Sequence, residues 1–397
     1  MDGADLKQTK MQKRDGGGRQ MRATNGAFAQ SYAEARARFL AAAEAAGARL
    51  TSEPHPLRGP DGGALAIDTV LVGPADASKL LAMTSGTHGI EGYTGSAIQS
   101  KLLEEGLGER LPADTALLFI HAVNPWGFAH GRRVNEDNID LNRNFVAPPF
   151  PENAGYALLH NALVPREWTE ETRAKSRAAQ SEFIRTHGLG AFVAALSTGQ
   201  YTHPDGLFYG GRDPSWSNRV MRDVFEREFL PRQTLAFIDI HTGLGERGAG
   251  ELLCTEAPGH PVFELGVKWM GPDVRSTSAG TSVSADVRGT MKGALIDLLA
   301  SDGKRRQTMA ISIEYGTVPQ DRVGAALQAD NWLYRHGNPE SPQGREIARE
   351  MRAVFLVEEA DWAETIHEQA ARHVGNALKG LASSENDKGA GGFPLAP

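Results

Sequence analysis

His88 and Glu91 have the types and spacing of a metal-binding pair. They stand three positions apart, just after the apolar run Leu80–Met83, and an imidazole and a carboxylate so placed can reach one ion. Zinc in hydrolases commonly takes two His, one Glu and a water. The pair also fits a helix start, where Glu91 would complement the helix dipole. His241, which follows the apolar run Leu235–Ile240, is the candidate third ligand or else a core histidine bonded to backbone.

Glu314 is the candidate general base. It follows the apolar run Met309–Ile313 and precedes Tyr-Gly. A carboxylate at the end of such a strand is costly to bury unless it is paired or lies near a metal. Proton transfer from a metal-bound water explains the position. The competing explanation is a structural salt bridge from Glu314 to Arg143 or Arg133.

A further segment carries a family resemblance. Residues 131–145 read GRRVNEDNIDLNRNF, and with the candidate ligands and base they resemble the zinc carboxypeptidase superfamily, close to its aspartoacylase and succinylglutamate desuccinylase branch. In that superfamily one Arg precedes a DLNRNF motif by a fixed short interval. Here the two arginines, Arg133 and Arg143, are 143 − 133 = 10 positions apart, and this spacing selects Arg133 over Arg132. The resemblance covers residues 60–320, and its elements follow the family order.

The resemblance implies a role for each of five residues. His88, Glu91 and His241 would bind one Zn²⁺ per chain. Glu314 would take a proton from the zinc-bound water and deliver it to the leaving nitrogen. Arg133 would polarise the scissile carbonyl and hold the oxyanion, a contact whose removal typically costs about 10²–10³ in rate.

Three residues of the DLNRNF motif would assist them. Asn142 and Arg143 would hold a carboxylate of the substrate, since a guanidinium is a planar fork that matches it. Asp140 would orient the ring of His88.

The sequence departs from the digestive carboxypeptidases in one place. Those enzymes carry a substrate-closing Tyr shortly before the catalytic Glu, and the corresponding segment Val287–Gly293 has none. Arg288 and Lys292 lie in this segment. They are either replacements for the missing contact or surface charges.

The resemblance therefore implies a zinc-dependent metallohydrolase that cleaves an amide bond near a free carboxylate. The substrate would be a small carboxylated amide, either a peptide with a free C-terminus or an N-acyl amino acid. His241-Thr-Gly and Glu314-Tyr-Gly are more similar to the deacylase branch, but both substrate types stay open. The alternative from another class is a non-catalytic carboxylate-binding protein on the same fold.

Short apolar runs alternate with helical patterns along the chain, which is typical of an α/β fold. We predict a three-layer sandwich around a mixed, mostly parallel sheet. The predicted strands are Ala64–Val72, Leu80–Met83, Leu117–Val123, Leu235–Ile240 and Met309–Ile313. The predicted helices cover a stretch from Ser31 to Gly47 and residues 95–105, 171–186, 217–228, 293–300, 321–335 and, as more than one helix, 344–378.

Polar, glycine-rich ends flank the patterned region. We expect tails at residues 1–26 and 383–397 around a single catalytic domain at 27–382, with Met21 as a candidate native start. The motif Gly243–Gly248 fits a dinucleotide-binding pattern, but strand or loop follows it where a helix would be required.

Composition excludes several other function classes. Among 397 residues, 42 Lys and Arg stand against 49 Asp and Glu, a formal charge of −7 that argues against nucleic-acid binding. The single cysteine, Cys254, rules out an internal disulfide and a thiolate zinc cage. No apolar run is long enough to span a membrane, and the first residues lack a secretory signal pattern, so a cytoplasmic location is expected.

Overall fold

The computed structural model of the protein describes residues 26–384. Its strands are β1 (Arg49–Arg58), β2 (Ala64–Val72), β3 (Lys79–Thr84), β4 (Thr115–His121), β5 (Thr234–Arg247), β6 (Gly250–Cys254), β7 (Arg275–Ser276) and β8 (Gln307–Gly316). Its α-helices are α1 (Tyr32–Ala45), α2 (Gly92–Glu104), α3 (Pro125–Ala129), α4 (Ala154–Leu163), α5 (Glu170–His187), α6 (Leu189–Ser197), α7 (Trp216–Val224), α8 (Pro261–Met270), α9 (Met291–Ser301), α10 (Gln320–His336), α11 (Pro342–Phe355) and α12 (Ala360–Ser383).

The predicted tails fall almost wholly outside this range. Residues 1–25, which include the candidate start Met21, and residues 385–397 are not among the described residues. Within the described part, none of the helices combines the length and apolarity that crossing a membrane requires.

All eight strands form one mixed sheet in the order β1-β2-β4-β3-β5-β8-β6-β7. The central strands β4, β3, β5 and β8 are mutually parallel, whereas β1, β2 and β6 join antiparallel neighbours. Most residues of the central strands are buried, so these strands are largely continuous apolar runs rather than alternating patterns.

Helices cover both faces of the sheet. On β5, Ile240 lies against Gly95 of α2, whereas Phe237 lies 6.0 Å from the ring of Phe229, in the π-helical turn that continues α7. Since residues 237 and 240 point to opposite faces of a strand, the two helices lie on opposite sides. The predicted three-layer α/β sandwich with a mixed, mostly parallel sheet is confirmed.

The predicted elements are present, and the structure adds the strands β1, β6 and β7 and the helices α3, α4, α6 and α8. The strand predicted at Ala64–Val72 has those bounds, and Ser31 caps α1 by accepting a hydrogen bond from the Glu34 N–H at 3.2 Å. The edge strand β1 was not predicted, because it contains two prolines and is mostly exposed. The motif Gly243–Gly248 ends β5 and leads into β6, so no phosphate-binding helix follows it.

A buried ion pair holds α1 on the sheet. Arg36 donates to both carboxylate oxygens of Asp68 on β2, at 2.6 and 2.9 Å, and Ser52 donates to Oδ1 at 2.5 Å. Asp68 is fully buried. A buried carboxylate that loses its cation is strongly destabilising, because nothing else offsets its desolvation.

We therefore expect Arg36→Met to lower the free energy of unfolding by about 3 kcal/mol in urea titrations. Arg38→Met is the matched control, since Arg38 lies on the same helix but pairs with exposed Glu34. The control should cost less than about 1 kcal/mol. Equal losses in the two variants would show that the Arg36–Asp68 pair does not hold the helix.

Candidate metal centre

The site lies at the carboxyl ends of the parallel strands, where side chains from several loops meet. The loop after β3 carries His88 into a short 3₁₀ turn, Gly89–Glu91, from which α2 begins. Gly89 is required here because an added Cβ would lie 2.1 Å from the backbone carbon of Gly127. The Gly89 N–H also donates to the carbonyl of Arg133 at 3.1 Å, so this turn is held against the 131–145 segment.

Three side chains converge at this edge. His88 Nδ1 lies 2.8 Å from Glu91 Oε1, and His241 Nδ1 lies 2.9 Å from Glu91 Oε2. One donor atom from each residue lies within 4.8 Å of the others, and all three residues are buried. His241 comes from β5, where it pairs in register with Glu314 of β8.

The outer nitrogen of each imidazole faces a buried carboxylate. His241 Nε2 lies 2.7 Å from Asp239 Oδ2, and His88 Nε2 lies 3.3 Å from Asp140 Oδ1. Burial alone would lower the pKa of His241, but Asp239 and Glu91 raise it well above its ordinary value. Both ring nitrogens of His241 face carboxylate acceptors, so a doubly protonated ring would donate at both positions.

This donor set fits a metal ion. Two Nδ1 atoms and one carboxylate point at each other, and each imidazole is backed by a carboxylate at Nε2, the pattern that orients metal-ligating histidines. Burial raises the pKa of Glu91, yet the two imidazoles outweigh it and hold the pKa well below its usual range. The group is therefore compatible with a cation in place of the Nδ1 protons.

Glu314 is buried beside this group. It accepts a hydrogen bond from the Leu244 N–H at 3.1 Å, and no ion pair joins it to Arg133 or Arg143 among residues 26–384. Burial and the neighbouring Glu91 carboxylate raise the pKa of Glu314 to about 8. The salt-bridge explanation of its position is therefore wrong for the described residues.

Arg133 donates hydrogen bonds to two of these buried acids, Asp140 and Glu91. Its Nε donates to Asp140 Oδ2 at 3.1 Å, and Nη1 donates to Glu91 Oε1 at 3.2 Å. Its Nη2 lies 2.8 Å from His88 Nε2, which accepts only when the ring proton is on Nδ1. Arg132 points elsewhere, to Asp330 at 3.0 Å.

Arg143 is already hydrogen-bonded on two sides. Its Nε and Nη2 donate to the carbonyl of Ser197 at the end of α6, at 3.1 and 2.5 Å, while Nη1 lies 3.4 Å from both Asp140 oxygens. Asn142 lies 3.5 Å from His241 Nε2 and accepts from the Met291 N–H at 3.1 Å. The guanidinium fork of Arg143 is therefore only partly available to a ligand.

A cleft of about 1320 Å³ opens over these residues. Its floor includes His88, His241, Glu314, Arg133 and Arg143. One wall is the apolar face of α6, formed by Leu189, Phe192, Val193 and Leu196. The cleft is large enough to hold a small-molecule ligand.

The sequence analysis did not identify two residues near the site, Asp239 and Phe208, and it offered a surface interpretation of a third, Lys292. Asp239 stands two positions before His241, so both point to the same face of β5; an acid inside an apolar run is the signal that could have found it. The Phe208 ring lies 5.6 and 5.3 Å from the guanidinium carbons of Arg133 and Arg143. The surface interpretation of Lys292 is wrong, because only 4% of the residue is exposed.

Comparisons with solved structures return carboxypeptidase and deacylase folds. The chain is similar to carboxypeptidase A from Helicoverpa armigera, with 14% identity, 90% of this chain and 74% of that chain covered, and a TM-score of 0.49. It is similar to a metallo-carboxypeptidase from Burkholderia cenocepacia, with 13% identity, coverage of 84% and 68%, and a TM-score of 0.37. It is also similar to an aspartoacylase family protein from Mesorhizobium loti, with 14% identity, coverage of 73% and 67%, and a TM-score of 0.35.

No curated protein matches the chain. One family model, described as "Protein of unknown function (DUF2817)", matches residues 28–369. Since the match covers most of the chain, the protein belongs to this family.

Proposed function

We propose that the protein is a zinc-dependent amide hydrolase whose substrates carry a free carboxylate near the scissile bond. The observation that carries the proposal is the convergence of two Nδ1 atoms and Glu91 beside a buried carboxylate, Glu314, in one cleft. Two His, one Glu and an open position are the ligand set of catalytic zinc sites in several hydrolases.

His88, Glu91 and His241 would hold the metal. When bound, zinc polarises a carbonyl and lowers the pKa of a coordinated water to about 7. Binding requires that each Nδ1 give up its proton, so His88 must carry its proton on Nε2 and donate it to Asp140. Arg133 Nη2 then loses its acceptor on His88 and is free to donate into the cleft.

Glu314 and Arg133 would carry the proton and charge transfers. A carboxylate at Glu314 accepts a proton from the attacking water and passes it to the leaving nitrogen, which becomes an amine. Arg133 donates to the carbonyl oxygen as negative charge develops there. Two separate groups are needed, because the carbonyl oxygen gains charge while the nitrogen gains a proton.

Asn142 and Arg143 would hold the substrate carboxylate. The contacts from Arg143 Nη1 to Asp140 are long, at 3.4 Å, and a ligand carboxylate could replace them with shorter ones. The bonds from Arg143 to Ser197 would remain and keep the guanidinium in place. Both a free peptide C-terminus and an N-acyl amino acid present such a carboxylate.

The first test concerns the metal. We expect about one equivalent of zinc in protein purified without added metal, measured by elemental analysis. His241→Ala should lose it, and Asp239→Asn should weaken zinc affinity by roughly 10- to 100-fold, because the ring would lose its orienting acceptor. His187→Ala, an exposed histidine at the end of α5, is the control and should keep full occupancy. Full zinc content in His241→Ala would contradict the ligand set.

The second test separates catalysis from structure at Glu314. Glu314→Gln should keep its zinc and its melting temperature but lose about 10²- to 10⁴-fold in kcat, since the amide cannot accept the proton. The exposed Glu340→Gln should match the wild type in both measurements. If Glu314→Gln binds N-acyl amino acids normally and the wild type hydrolyses none of them, the protein is a carboxylate-binding protein instead.

The third test concerns Arg143. If it holds the substrate, Arg143→Ala should raise KM for a free-acid substrate by roughly tenfold or more, with little change for the amidated analogue. If it only holds α6 through Ser197, the melting temperature should fall and both substrates should be affected equally. Arg143→Lys should recover only part of the KM effect, because an ammonium cannot form the paired contact.

A further inference from the structure

The loop 199–211 places the ring of Phe208 against the two arginines of the site. The ring centre lies 5.6 Å from the guanidinium carbon of Arg133 and 5.3 Å from that of Arg143. Both distances fall within the range in which the face of an aromatic ring attracts a cation. Phe208 also lines the cleft. One ring therefore faces both cations to which the proposed function gives a role.

The backbone of Phe208 has a conformation that residues with a side chain rarely adopt. Its φ is +51°, in the left-handed region. Among residues 26–384, the other two non-glycine residues with positive φ are Asp114 and Asn138, whose types tolerate this region. A bulky residue in this conformation is strained and persists only where the surrounding structure fixes it. Glycine would fit this backbone without strain, so what phenylalanine adds at this position is its ring.

Hydrogen bonds on both sides of Phe208 fix this conformation. The Phe208 carbonyl accepts from the Gln200 N–H at 3.2 Å, which closes the loop on itself. The N–H of the preceding residue, Leu207, donates to the hydroxyl of Tyr156 on α4 at 2.7 Å. The ring packs against the small apolar cluster that includes Tyr156 and Leu207. The position of the ring is therefore set by the loop and by α4 together.

The same loop is hydrogen-bonded to the segment that carries the two arginines. The Tyr209 carbonyl accepts from the Asp140 N–H at 2.8 Å, and the Tyr201 hydroxyl donates to the Arg143 carbonyl at 2.7 Å. Both bonds join the loop to the 131–145 segment close to the guanidinium groups. The ring and the guanidinium groups therefore lie on two segments that are bonded to each other.

The two guanidinium groups carry like charges and share one carboxylate, that of Asp140. Arg133 Nε donates to Asp140 Oδ2 at 3.1 Å, whereas Arg143 Nη1 lies 3.4 Å from both Asp140 oxygens. Burial lowers the pKa of Arg143, and the charge of Arg133 lowers it further against the opposing effect of Asp140. Since the face of an aromatic ring is negative, the ring of Phe208 offsets part of this repulsion.

We propose that Phe208 is a positioning residue whose ring holds the guanidinium groups of Arg133 and Arg143 in place by cation–π attraction. The catalytic consequence rests on the proposed function, in which Arg133 stabilises the carbonyl oxygen and Arg143 binds the substrate carboxylate. The positioning itself requires no substrate. It can therefore be measured whether or not the protein is a hydrolase.

The first measurement is the hydrogen exchange of the two arginine side chains. NMR of protein labelled with ¹⁵N-arginine follows the exchange of each Nε proton with water, and Arg133→Lys and Arg143→Lys identify the two signals. Phe208→Leu should accelerate exchange at both by roughly fivefold or more, because it removes the ring but keeps an apolar side chain and the same backbone strain. Phe208→Tyr keeps the ring and should stay within about twofold of the wild type. Unchanged exchange in Phe208→Leu would overturn the proposal.

Fluorination of the ring separates electrostatics from packing. Pentafluorophenylalanine at position 208 reverses the charge of the ring face with little change of shape, so a residue that only fills space would tolerate it. We expect faster exchange of both Nε protons, again by roughly fivefold or more. The same replacement at Phe183, which packs against the same apolar cluster but is not among the residues that line the cleft, should have no effect. Should Phe208→Leu fail to fold, the fluorinated protein decides the question.

Kinetics distinguish a failure of this proposal from a failure of the proposed function. If the wild type hydrolyses N-acyl amino acids or peptides with a free C-terminus, Phe208→Leu should lower kcat through Arg133 and raise KM through Arg143, and Phe208→Tyr should restore both values. Faster exchange in the leucine and fluorinated proteins, with no hydrolysis of any of these compounds by the wild type, would sustain the positioning role and count against the hydrolase. Hydrolysis that is insensitive to both replacements would overturn the role of Phe208 in the reaction.

Discussion

The burial of four carboxylates at one edge of the sheet is the constraint on which the site depends. Glu91, Asp140, Asp239 and Glu314 are all less than a tenth exposed. Buried charge has to be compensated, because desolvation otherwise favours the neutral acid. Arg133 and Arg143 compensate Asp140, and the imidazoles compensate Glu91 and Asp239. Within residues 26–384, Glu314 makes no ion pair, and its burial and the neighbouring Glu91 carboxylate raise its pKa more than His241 and Arg133 lower it.

The groups that compensate these buried carboxylates come from several loops, which meet at the same edge of the sheet. The compensating groups come from three stretches of chain: the turn after β3, the 131–145 segment and the middle of β5. Only the carboxyl edge of parallel strands brings such distant stretches within hydrogen-bonding distance. A cation among the Nδ1 atoms of His88 and His241 would replace protons there and lower the pKa of Glu314 by attraction.

Much of the fold could be predicted from the sequence, because buried parallel strands are continuous apolar runs. The runs LAFIDI and MAISI are almost wholly apolar, and they lie inside the observed central strands β5 and β8. The edge strand β1 could not be predicted, since its prolines and exposed side chains are also typical of a loop. The helices α3, α4, α6 and α8 also went unpredicted, although Asn153 caps α4 by accepting a hydrogen bond from the Tyr156 N–H.

The candidate site was predicted through residue types and order, whereas its electrostatics depend on contacts between distant segments. The structure brings His88, Glu91 and His241 together, and Glu314 beside them. It also shows two features that the spacing of residues in the sequence does not reveal. Arg143 is hydrogen-bonded to Ser197, and Lys292 is buried rather than on the surface. Both depend on helices whose packing is set by tertiary contacts rather than by local sequence.

The bonds from Arg143 to the Ser197 carbonyl have a mechanical consequence. Arg143 also lies against Asp140, and Asp140 faces the outer nitrogen of His88. The apolar wall of the cleft is thus joined to His88 by a chain of three polar contacts. A ligand that pushes α6 outward would pull on Arg143, and the strain would reach the ring of His88. The position of α6 and the orientation of the His88 ring are therefore linked.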